Sequence, residues 1–110
     1  MTLMDDSSQL RQQRQFLDNV EQAITANNRE IIHAVLPKLN RTTFVGMARS
    51  VAQSRVKYIA AAAGFLAGGE AISPPHAAQL EQLRKQFEES RAAFDAVKRA
   101  ISRGYIDVAD

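Results

Sequence analysis

Residues 80–103, LEQLRKQFEESRAAFDAVKRAISR, decide the fold class of this chain. Leu80, Leu83, Phe87, Ser90, Phe94, Val97 and Ile101 step by three and four along the whole stretch, a heptad seam with one polar member, Ser90. A seam of this kind lies on one side of an α-helix and needs another helix to cover it. Glu81 with Lys85 and Asp95 with Arg99 are spaced as i,i+4 ion pairs. Lys98, Arg99 and Arg103 gather at the C-terminal end, where the helix dipole favours cations. Ser73 followed by Pro74 is a strong N-terminal signal, because serine caps and proline fits the first helical position. Gly104 is the expected residue just past the last turn, with Tyr105 or Ile106 folding back on it. The pattern predicts a helix over residues 74–103 and a tail over 104–110.

The same reading extends backwards. Gly68-Gly69 ends a helix predicted over about 42–67, with its cap among Asn40 to Thr43. At 100° per residue this segment shows two apolar stripes. One contains Val45, Ala52, Val56, Ile59 and Leu66, the other Phe44, Met47, Val51, Tyr58 and Phe65. Together they cover about half the circumference, more than the ~100° of a simple amphipathic helix. Either this helix is packed between two others, or part of the arc faces another subunit or a target. Thr43, Arg49, Ser50, Gln53, Ser54 and Lys57 fall on the opposite, polar face.

Towards the N-terminus, Leu10, Leu17, Val20 and Ile24 form one stripe, with a cap expected at Ser7 or Ser8 and a flexible segment over 1–6. Pro37 predicts the end of this element, about 7–36, and Asn27-Asn28 a kink or a split within it, with Asn28 as a second cap. Three long helices joined by short connections give a single all-α domain over 1–110. Two arrangements follow: an elongated antiparallel three-helix bundle with its first helix kinked or split, or a helical hairpin that completes its core by dimerisation.

Charge is distributed unevenly. No acid lies between Glu30 and Glu70, whereas Lys38, Arg41, Arg49, Arg55 and Lys57 do, in a chain of net charge only +2. Arg41, Arg49, Gln53 and Lys57 are candidate contacts for a partner or an anion. Arg55 projects into the apolar arc, so it must snorkel, meet an acid in a buried or interface ion pair, or border an open surface. Asp18, Glu21, Glu88 and Asp95 are the candidate acids.

Chemistry is sparse. The chain has no cysteine, and His33 and His76 are far apart and outside any metal-ligand pattern. Ser50 and Ser54 lack an activating base nearby, and no glycine-rich loop follows a strand. The sequence therefore implies no enzyme, no cofactor and no small-molecule substrate. Its N-terminus has acids where a secretory leader has Lys or Arg, which points to the cytoplasm. The expected function is a small helical protein–protein interaction module that self-associates, as an adaptor, chaperone-like protein or subunit. The alternative is accessory nucleic-acid binding through the basic middle helix. A membrane-surface helix is a weaker third reading, since the middle segment lacks tryptophan and core burial explains its apolar half better; the longest uncharged stretch, 58–69, is too short to span a bilayer.

Overall fold

The structure, a computed structural model, describes residues 3–110, with side chains from Asp6 onward. The order of elements is α1 (Leu3–Val35), β1 (Lys38–Asn40), α2 (Arg41–Leu66), α3 (Pro74–Ser102) and β2 (Asp107–Ala109). The fold is all-α apart from the two short strands.

Helix α3 forms as its heptad pattern requires. Ser73 caps it by accepting the His76 amide, and Pro74 and Pro75 occupy its first positions. It ends in a Schellman arrangement: the Gly104 amide bonds to Ile101 O and the Tyr105 amide to Ala100 O, both at 2.9 Å. Gly104 has φ +77°, a left-handed conformation that glycine adopts without a Cβ penalty. Tyr105 and Ile106 fold back and are buried. Asn40 caps α2, its side chain accepting the Thr43 amide at 2.8 Å.

Helices α2 and α3 pack as an antiparallel hairpin along the seam read from the sequence. The stripe of Phe44, Met47, Val51, Tyr58 and Phe65 faces Leu83, Phe87, Phe94 and Val97, all buried or half-buried. Phe44 and Phe94 stack obliquely, 5.1 Å between ring centroids, and Phe65 lies flat on His76 at 4.0 Å. Ser54 was expected on the polar face, yet it turns into the seam and meets Ser90, Oγ to Oγ 3.2 Å. Ser90 donates to Gln86 O at 2.8 Å, so its oxygen is an acceptor for the single Ser54 proton, which it shares with Ser50 O at 3.3 Å. The one polar member of the heptad seam is thus satisfied within it. Asp95 pairs with Lys98 rather than with Arg99, while Glu81 holds Lys85 at 2.9 Å as its spacing predicts. That ammonium, by hydrogen bond and charge, lowers the Glu81 carboxyl below its usual value.

Three expectations are corrected. Helix α1 begins by Leu3 rather than near residue 7, so Ser7 and Ser8 are inside it and do not cap it; Met1 and Thr2 lie outside the described residues. It also runs unbroken through Asn27 and Asn28, which are neither a break nor a cap. Asparagine is only about 0.7 kcal/mol worse than alanine in a helix, too little to interrupt 33 residues. Third, 104–110 is not a plain tail: Asp107–Ala109 pairs in parallel with Lys38–Asn40, Leu39 opposite Val108. The α2–α3 hairpin is the crossover that parallel pairing requires.

The three-helix bundle does not close within the chain. Helix α1, about 50 Å long at 1.5 Å per residue, lies along neither α2 nor α3. The molecule is flat and elongated, 74 × 42 × 17 Å. Its radius of gyration is 23.1 Å, against about 13 Å for a compact chain of this length. The hairpin of the second arrangement is present; the first helix projects from it.

Candidate interaction surfaces

Among the described residues of α1, side-chain hydrogen bonds to the rest of the chain come from its last turns. Arg29 donates to the carbonyl of Gly104 and, at 3.2 Å, to an oxygen of Asp107; His33 Nε2 donates to the other oxygen at 3.0 Å. The Asn28 amide donates to the Tyr105 hydroxyl at 3.4 Å. These contacts have chemical consequences. The His33 hydrogen bond, then that of Arg29, holds the Asp107 carboxyl below its ordinary value, and the Asn28 amide draws the Tyr105 phenol below its own. The clamp closes on the ladder, since the Asp107 amide bonds to Pro37 O at 3.1 Å. Sequence reasoning missed Arg29, His33 and Asp107 because the partners are 74–78 residues apart. Gly104 was the available signal: a left-handed stop that throws the following residues back on the helix end.

Beyond the clamp α1 is bare. Leu10, Phe16, Leu17, Ile24 and Ile31 are each more than half exposed. The outer stripe of α2 is equally uncovered: Val45, Val56, Ile59 and Leu66 are 54–55% exposed. Helix α3 has no large apolar side chain in this condition, because its seam is spent on α2. The wide arc of α2 therefore divides into an inner stripe that packs and an outer one that does not. Among the described residues only four hydrophobic ones are buried: Leu39, Val51, Tyr105 and Ile106.

The candidate contact residues separate into two places. Arg49, Gln53 and Lys57 form an exposed row along α2, one turn apart. Arg41 stands away from them, at a groove of about 460 Å³ with apolar walls from Leu39, Phe44, Ile101 and Val108. Arg55 makes no ion pair among the described residues. Its guanidinium lies 5.1 Å from the centroid of the Phe87 ring, a cation–π contact at the edge of the hairpin seam. None of the four α2 cations meets an acid among the described residues. Glu81, Glu88 and Asp95 pair within α3, and Asp107 pairs with α1. A second cleft, about 370 Å³, lies between α1 and the C-terminal segment, with Glu21, Ile24 and Asn28 on one wall and Arg103 and Tyr105 on the other.

Among the described residues no cluster of His, Asp or Glu has a metal-binding arrangement, and no helix is long and apolar enough to cross a membrane. Comparison of the chain with protein-family models, with curated proteins and with solved structures returns no match.

Proposed function

We propose that this chain is a small helical interaction module whose folded unit is a self-associated one. The observation that carries the reading is unspent apolar surface. Among the described residues, seven large hydrophobic side chains on α1 and four on α2 are exposed, against only four hydrophobic residues that are buried. The accessible surface is 8789 Å², about 2,700 Å² more than the ~6,100 Å² of a compact monomer of this mass. Monomeric proteins rarely leave contiguous apolar patches of more than a few hundred Å² in water, and such patches mark interfaces. Size-exclusion chromatography with light scattering tests the reading. A stable oligomer at micromolar concentration is expected; a monomer up to several hundred micromolar refutes it.

A second reading has its own support. Arg41, Arg49, Arg55 and Lys57 have no acid partner in their own chain among the described residues, which suits contact with a polyanion such as nucleic acid. A gel shift that weakens with salt and disappears in the Arg49→Glu, Lys57→Glu double variant supports it. No shift at 50 mM salt ends it.

A further inference from the structure

We infer that the partner of the bare α2 face is the α1 arm of a second copy of this chain, the two copies exchanging arms about a two-fold axis. The inference rests on the self-association reading and specifies its geometry. Three observations carry it.

The first is a match of period and length. On α1, Leu10, Leu17, Ile24 and Ile31 recur every seven residues. On α2, Val45, Ala52, Ile59 and Leu66 do the same. Both ladders have four rungs over the same span, about 32 Å at 1.5 Å per residue. A seven-residue repeat is what knobs-into-holes packing requires of each helix. The α1 rungs are all bulky; on α2, Ala48, Ala52 and Ala63 leave space between the larger ones, giving holes for those knobs.

The second is charge. The α1 sequence has five acids against three arginines, and α2 has four cations and no acid. When the ladders are in full register their midpoints coincide, between Val20 and Glu21 on one and Arg55 and Val56 on the other. This holds for parallel and antiparallel arms alike. Glu21 of one copy therefore reaches Arg55 of the other, which lacks an acid in its own chain among the described residues. Opposed charges at such positions set partner choice in helical interfaces.

The third is that a chain cannot cover itself in this way without undoing its own contacts. Five residues, 36–40, connect α1 to α2, and three of them are paired in the β1–β2 ladder. The Arg29, His33 and Asn28 contacts fix the last turns of α1 to the C-terminal segment. The exposed excess of about 2,700 Å² comfortably exceeds the ~800 Å² per partner of a standard interface.

The test is a charge swap in the full chain, read by light scattering, with circular dichroism as the check on folding. Glu21→Arg and Arg55→Glu, both at exposed positions, are each expected to weaken the dimer at least tenfold. Mixing the two variants is expected to restore it, because in the mixed dimer each arm again meets an opposite charge. Arg103 borders the same cleft as Glu21, so a loss in Glu21→Arg alone is insufficient; the loss in Arg55→Glu and the rescue on mixing are both required. Cysteine substitution adds a geometric readout in a chain that has none of its own. Val20→Cys chains mixed with Val56→Cys chains are expected to form a mixed disulfide. A Val20–Val20 crosslink alone, a disulfide within one doubly substituted chain, or a dimer indifferent to Arg55→Glu overturns the arm exchange. A dimer that persists through those results retains the self-association reading, whereas a monomeric wild type removes both.

Discussion

Replacing Phe94 by alanine tests whether the α2–α3 seam, rather than the arm, carries the stability of the subunit. Phe94 is half-buried, stacks on Phe44 at 5.1 Å, and has the Lys98 ammonium 5.2 Å from its ring centroid. Deleting a fully buried phenylalanine costs about 3–5 kcal/mol. Partial exposure reduces this to about 2 kcal/mol, of which the aromatic pair accounts for about 0.5–1. For a domain of this size that is a fall in Tm of roughly 8–15 °C. Urea unfolding followed by circular dichroism gives the total, and a double-mutant cycle with Phe44→Ala isolates the pair. Phe16→Ala on α1 is the control: the same chemistry at a side chain 65% exposed is expected to cost within about 0.5 kcal/mol at the lowest usable concentration. Its cost should grow as the protein is concentrated and the arm engages, whereas the Phe94 deficit should not change. A Phe94→Ala loss below about 0.5 kcal/mol, or a coupling to Phe44 near zero, refutes the assignment of stability to the seam.

Two further outcomes follow from the C-terminal clamp. Gly104→Ala is expected to cost about 1 kcal/mol in thermal or urea unfolding, and to do so through φ alone: an added Cβ would meet no atom within 4 Å, so d-alanine at that position should be tolerated. Asp107 gives a pH dependence of definite sign. Its carboxyl is held below the ordinary value in the folded state, so its contribution is complete above pH ~4 and is lost as pH falls through the depressed value. Protection of the Asp107 amide against exchange, taken relative to its intrinsic rate at each pH, should fall over that acid range, and Asp107→Asn should remove the dependence; an unchanged acid limb in the variant contradicts the assignment.

What the sequence determined is local. The heptad steps from Leu80 to Ile101, the cap at Ser73-Pro74, the stop at Gly68-Gly69 and the left-handed turn at Gly104 each act over a few residues, so the helices and the hairpin could be read directly. The two stripes of α2 were also legible, because helical periodicity depends only on spacing. Which stripe would be covered was not. That outcome depends on where α1 goes, and α1 is directed by contacts between residues 28–33 and 104–107, which no periodicity connects. The strands escaped for the same reason: three residues show no alternation, and each acquires its identity only from its partner across the hairpin. Arg55 shows the division in one side chain. Its position within the apolar arc follows from spacing alone, but only the tertiary structure set its guanidinium over Phe87 and left it without an acid among the described residues, because Glu81, Glu88 and Asp95 pair along their own helix and α1 points elsewhere.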